Sequence, residues 1–433
     1  MLKYTKIISL LMASALFTAC TSDKKDKQVI DTSGILKANN MTAEEKSEEL
    51  SLSAEQLMAG TSFMYADAVA EVALAFNKDN KRAQLIRALT APAMKFKGIM
   101  SRIKPVAERN ERSKASYQRQ MDRINKAPNH ALKTFLLSGA PDIKNEKDIQ
   151  ALIQEVTQAI TNLRLFFKNN KDVNLTLNIP GEKMQKNALD NAIEDGCYWE
   201  QSSEGYYEWI CEEDPNLSET LQVKLNRADM EALQQVVAGY EIYFKLLNSY
   251  TLDGAFAVGD KYRDVYESPR NQIREELLAN PEFGKLRNKA SLSSILEMGL
   301  DAVSGARWAL KIESELCPEG YPVSTNRKGH LFKEGLCLTS YAQRKTDEPI
   351  ASFLDKAELV LSGGIIDATF RGYNTQTKYS AVFSNPIQDV RNLGLKFDAC
   401  GNISEAADQT FGGVLVNNDA AKVIEATKKE CYQ

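Results

Sequence analysis

The sequence predicts a helix-rich α+β protein stapled by disulfides, and three observations lead there. Long stretches carry apolar residues at helical spacing, shorter ones alternate with the period of a strand, and six cysteines fall into three pairs close in sequence. The chain has 433 residues, and at roughly 150 per domain this suggests two or three domains, each able to bury a core. With 43% hydrophobic and 26% charged residues, it is neither disordered nor a polytopic membrane protein. Its only histidines, His130 and His330, are far apart, so no HExxH or His-rich metal site can be built.

Residues 1–19 carry Lys3 and Lys6, no acid, and an apolar run from Ile7 to Phe17 broken only by Ser9 and Ser14. A charged start followed by a short apolar run is an export signal, too short to remain as a spanning helix. Residues 20–53 are polar and charge-mixed, the composition of a solvated tether that turns helical near its end. Residues 54–140 have helical periodicity, with Pro92 and Pro105 as expected breaks.

In residues 141–255, Glu146 to Phe167 reads as an amphipathic helix. Val173, Leu175, Leu177 and Ile179 alternate like a strand, as do Leu221, Val223 and Leu225. With an intervening hairpin these segments are expected to form one antiparallel sheet of about four strands, followed by a helix over Arg227 to Tyr250. Residues 256–433 continue with a long helix from Leu292 to Leu316 carrying Trp308, then a short helix after Pro349. Strands are expected over Gly364 to Tyr373 and Tyr379 to Phe383, with Gly363-Gly364 and Gly412-Gly413 as turn glycines. A Gly- and Asn-rich segment then leads to a last helix in AAKVIEATKKEC.

The hairpin is legible residue by residue. In CYWEQSSEGYYEWIC, pairing Cys197 with Cys211 sets Trp199 opposite Trp209 and Glu200 opposite Glu208. Ser203, Glu204 and Gly205 remain for the loop, and a three-residue loop needs a left-handed residue where Gly205 stands. A disulfide and an aromatic pair on one face would reinforce each other. The segment is either a stapled structural hairpin or an aromatic recognition finger.

Leu16-Phe17-Thr18-Ala19-Cys20 resembles the lipobox of bacterial lipoproteins. That resemblance implies cleavage before Cys20, acylation of its thiol and amine, and a membrane anchor built from more than one acyl chain. Phe17 departs from the usual Leu. Thr21 stands where an inner-membrane retention signal usually shows Asp, so the resemblance implies the outer membrane. Phe63 to Ala83 is similar to the second half of a tetratricopeptide repeat, with Ala66 and Ala73 at the small positions of a close helix crossing and Asn77-Lys78-Asp79-Asn80 as the turn. Lys78 departs from the motif's Pro, and Leu50, Ala54 and Leu57 from its Trp, Gly and Tyr. One copy cannot stack into a solenoid.

Setting Cys20 aside leaves Cys197, Cys211, Cys317, Cys337, Cys400 and Cys431. An even number in an exported chain reads as disulfides. Fifteen connectivities exist, and neighbour pairing closes the shortest loops, each bridge contributing roughly 3 to 4 kcal/mol on the chain-entropy model. No CxxC occurs, which argues against zinc. Walker, GxSxG, GxGxxG and EF-hand patterns are missing as well, so no cofactor and no catalytic residue is assigned.

Charge is segregated. Lys81 to Lys126 contains thirteen Lys or Arg against Glu108, Glu111 and Asp122, while Glu194 to Asp214 contains eight acids and no base. The basic residues Arg102, Lys104, Arg109, Arg112, Lys114 and Arg119, which flank Pro105, are the expected contacts for anionic lipid or envelope polymer, with a solvated basic face as the simpler reading. Trp199 and Trp209 are further interaction candidates. Nucleic acid fits poorly, because removal of residues 1–19 leaves 52 basic and 58 acidic residues.

The expectation is therefore an outer-membrane lipoprotein that faces the periplasm or the cell surface and serves as a non-enzymatic scaffold, partnered by envelope proteins or an anionic polymer. A lipid-anchored solute-binding protein would instead show a deep aromatic-lined cleft. A cell-wall hydrolase would show two buried carboxylates roughly 5 to 10 Å apart.

Overall fold

The computed structural model describes residues 35–36, 40–58, 63–126, 130–180, 197–201, 207–211, 220–262, 270–316 and 350–428. The described chain is helix-rich with small antiparallel sheets, as the α+β expectation requires. It opens with three helices, α1 (Ala43–Met58), α2 (Phe63–Phe76) and α3 (Lys81–Met94). Asn80 caps α3 by accepting from the Ala83 N–H, and so ends the turn after α2. Helix α1 begins well before residue 54, and its Ser47, Leu50 and Ser51 are buried. Pro92 lies inside α3, which runs on to Met94. The expected break falls just after it: an interior proline removes one backbone hydrogen bond and its ring crowds the carbonyl four residues back, and the helix ends two residues later.

Two short turns, α4 (Ile99–Arg102) and α5 (Lys104–Ala107), carry Pro105 near a helix start, where it is tolerated. Helices α6 (Glu111–Lys126) and α7 (His130–Leu137) follow. Next comes the long helix α8 (Glu146–Asn169), started by a capping box between Asn145 and Asp148. Strand β1 (Leu175–Pro180) pairs with β4 (Thr220–Leu225), from Leu175 opposite Leu225 to Pro180 opposite Thr220. Between them β2 (Cys197–Gln201) and β3 (Tyr207–Cys211), among the described residues, pair only with each other. The expected four-stranded sheet is thus two separate ladders, and Pro180 ends β1 with a residue that cannot donate to a further partner.

A second capping box, Asn226 with Asp229, starts α9 (Arg227–Leu247). Strand β5 (Tyr250–Leu252), α10 (Ala255–Lys261), α11 (Arg270–Ala279) and β6 (Phe283–Leu286) lead to α12 (Lys289–Leu316). Helix α13 (Ile350–Leu361) packs on α12. The stretch Gly364 to Tyr373 is not one strand: β7 (Ile366–Phe370) and β8 (Tyr373–Thr377) form a hairpin. Arg371 and Gly372 both have positive φ, the turn that reverses a twisted ladder in two residues. Tyr379 to Phe383 is not a strand either, because Ala381–Ser384 closes as a helical turn, α14. Strands β9 (Leu395–Phe397) and β10 (Ile403–Ala406) and helix α15 (Ala420–Thr427) complete the described chain.

The main core lies where α8 and α9 pack, joined by Leu85, Phe135, Leu136 and Ile143 from the preceding helices and by Leu175 and Leu225 from the β1–β4 ladder. A second core of Leu50, Ala54, Leu57, Ala66, Ala70, Ala73, Ala83 and Ile86 holds α1 to α3 together. Smaller clusters join α9 to α12 and close the C-terminal segment.

Candidate functional site

The stretch expected to form a basic face, Lys81 to Lys126, is divided by the fold. Arg82 is nearly buried, pairing with Glu55 and with Glu48 at 3.3 Å, and it donates to the Thr176 carbonyl at 2.7 Å. Arg87 meets Asp67 at 3.1 Å and Glu71 at 3.2 Å. Four of the six interaction candidates are likewise paired: Arg102 with Asp142 at 2.9 Å, Lys104 with Glu108 at 4.0 Å, Arg109 with Asp260 at 2.5 Å and Lys114 with Glu111 at 3.6 Å. Arg109 also lies over the Phe256 ring, 4.4 Å from its centroid, so it fastens the start of α6 to α10.

The remaining candidates, Arg112 and Arg119, stand on α6. The Arg112 side chain lies outside the described residues, and Arg119 is exposed. Among the described residues no ion pair is made by Arg119, Arg123 or Lys126. Helix α6 is held by Tyr117, which is buried and donates to the Met100 carbonyl at 2.8 Å. Burial and then the charge of Glu108 raise the Tyr117 pKa above its ordinary value, so the phenol stays a donor.

One polar cavity of about 380 Å³ opens beside α1 and α3. Glu44 and Glu48 line it along with Lys81 and Arg82, and Asn77, Asn80, Asn174, Val173 and Leu175 complete the wall. No aromatic residue lines it, unlike the cleft expected of a solute-binding protein. Several of its groups satisfy one another or close neighbours: Glu48 accepts from the Asn80 amide at 3.4 Å and from Arg82 Nε at 3.3 Å, the Asn80 amide also donates to Ser47 Oγ at 3.0 Å, and Lys81 Nζ donates to Gln84 Oε1 at 3.2 Å.

Charge is also organised in the helix bundle. Arg164 and Lys168 on α8, and Lys171 in the turn that follows it, meet Glu241 on α9, Asp301 on α12 and Glu231 on α9. Arg227 stacks on Trp308, 4.5 Å from the ring centroid, at the end of the same seam. Sequence reading missed this seam, although the i,i+4 spacing of Arg164 and Lys168 on one helical face was available to it.

Of the other expected site residues, Cys20, Cys317, Cys337 and Cys431 lie outside the described residues. The hairpin register holds on the backbone: Cys197 is opposite Cys211, Trp199 opposite Trp209 and Glu200 opposite Glu208, while the side chains there are not described. Among the described residues no group of three or more His, Cys, Asp or Glu is placed to hold a metal ion, and no helix is long and apolar enough to cross a membrane. No family model, curated protein or solved structure matches the chain.

Proposed function

We propose that this chain is an outer-membrane-anchored lipoprotein acting as a non-enzymatic scaffold or interaction module of the cell envelope. One observation carries the anchor: Cys20 directly follows a basic, then apolar, export-like segment with small Ala19 and Thr18 just before it. Two acyl chains are enough for stable attachment, since each buried methylene contributes about 0.8 kcal/mol. The helical unit α1 to α3 supports the scaffold reading, because it packs through alanines on one side while exposing Tyr65 and Val72 on α2. The partners are the membrane, through the lipid, and envelope proteins or an anionic envelope polymer.

Disulfides between 197 and 211, 317 and 337, and 400 and 431 belong to the same proposal. The β2–β3 register supports the first, and closeness in sequence is the argument for the other two. The anchor is tested by Cys20→Ser in cells. The expected result is a shift from the membrane to soluble or unprocessed fractions, with acyl mass on the native N-terminal peptide. Unchanged membrane attachment with an unmodified Cys20 would overturn it.

A further inference from the structure

Helix α6 presents positive charge at Arg119, Arg123 and Lys126 that no ion pair among the described residues neutralises. With about 100° of turn per residue, Arg112, Arg119, Arg123 and Lys126 share one face within roughly 60° of arc, spread over about 21 Å of helix axis. Tyr117, Met121 and Ile124 take the opposite face, where Tyr117 is buried and Ile124 packs on the main core. The orientation of α6 is therefore fixed by its apolar side, and Arg119, Arg123 and Lys126 are exposed. Asp122 stands at the edge of the stripe and Glu111 beyond it, so the helix keeps five cations against two acids. Lys133 on α7 adds a cation at the far end, where its Nζ donates to the Asn125 carbonyl at 2.6 Å.

We propose that this face of α6 lies against anionic lipid head groups. The stripe is borne on a convex helix whose flanking Gln118, Gln120 and Asn125 are also exposed, a shape that meets a plane rather than encloses a strand. It carries no large apolar residue, so the contact is electrostatic, without insertion of the helix. Basic residues near an anionic leaflet are attracted within a Debye length of roughly 8 to 10 Å. The inference deepens the membrane partnership proposed above and rests on it for one point, that the lipidated N-terminus brings the folded part to a bilayer. It also moves the contact away from Arg102, Lys104, Arg109 and Lys114, whose charges are met within the chain.

The test is cosedimentation of the chain from residue 20 on, the form that cleavage before Cys20 leaves, with vesicles of phosphatidylcholine alone or of equal parts phosphatidylglycerol and phosphatidylcholine, at low and physiological salt. Every arm carries Cys20→Ser, so that acyl chains contribute to none. The parent should prefer the anionic vesicles, and Arg119→Glu/Arg123→Glu/Lys126→Glu should bind them at least about 100-fold more weakly, since three attractions are lost and three repulsions added. Arg119→Lys/Arg123→Lys should retain binding, since charge and not guanidinium geometry is at work. Matching circular-dichroism melts establish that the reversed variant is folded; if it is not, the corresponding Gln variant takes its place. Equal binding by parent and variant, or equal binding to both vesicles, overturns the proposal. So does retention on an immobilised anionic polymer without anionic-vesicle binding. Acylation of Cys20 in the native chain is read separately by mass, so failure of the anchor and failure of the helix contact are distinct outcomes.

Discussion

Glu241 shows how much one residue of this bundle depends on its neighbours. It is fully buried on α9, between Arg164 Nε at 2.7 Å and Lys245 Nζ at 2.9 Å, and Lys245 also donates to Ser294 Oγ on α12 at 2.9 Å. Burial alone pushes its carboxyl pKa up. The hydrogen bonds from Arg164 and Lys245 more than offset this, leaving the carboxyl below its ordinary value. A depressed carboxylate stabilises the fold above its unfolded pKa, about 4.3 for Glu, and that contribution fades as pH falls through the folded value. Glu241→Gln leaves two cations without their counter-charge, so it should cost about 3 to 5 kcal/mol at neutral pH. The gap between parent and variant should narrow in denaturant melts taken below about pH 4. A gap that stays constant with pH would show that lost packing, not lost charge, is the cause.

At the scale of elements, close approach is what the small residues provide. Helices α1 and α2 meet through Ala54, Ala66, Ala70 and Ala73, all fully buried, and Ser47 Oγ donates to the Ala73 carbonyl across the contact at 2.8 Å. Between α3 and α4, Gly98 has φ +70°, and a Cβ there would lie 2.5 Å from the Gly139 Cα. Gly98→Ala should therefore destabilise by at least about 2 kcal/mol, because backbone strain and a backbone clash add. Gly239, within α9, has open space around its would-be Cβ. There the change to Ala should stabilise by roughly 0.5 to 1 kcal/mol, the helix-propensity difference. Thermal or urea melts of the two variants should move in opposite directions, and a shared direction would contradict the packing described.

Over the whole molecule, acids contributed by distant segments divide the basic stretch between interior and surface. Asp142, Glu155 and Asp260 meet Arg102, Lys95 and Arg109, so much of the charge density of residues 81–126 serves to dock elements. Each proposed bridge would close a loop within one segment and leave segment-to-segment docking to packing and ion pairs. Non-reduced peptide mapping should find Cys197 with Cys211, Cys317 with Cys337 and Cys400 with Cys431. A peptide joining Cys211 to Cys317 would remove the neighbour-pairing rule and the staple it implies for β2 and β3.

Helices were legible in the sequence wherever periodicity and a cap coincided: α8 and α9 begin at Asn145 and Asn226, each with an acid three residues on. The β2–β3 register was legible because Cys197 with Cys211 and Trp199 with Trp209 share one midpoint, Glu204, with a turn glycine beside it. What the sequence could not settle was which strands share a sheet, since alternation records the face a residue takes and not the neighbour its backbone bonds. For the same reason Tyr379 to Phe383 read as a strand, although the Ser384 N–H closes on the Ser380 carbonyl. The candidate surface divides along the same line. The sequence determined that Lys81 to Lys126 is basic; only the tertiary structure decided that Arg102 and Arg109 are spent on acids 40 and more residues away while Arg119, Arg123 and Lys126 face solvent. Charge is a property of composition, whereas its neutralisation depends on which distant segments the packing of the core brings within reach.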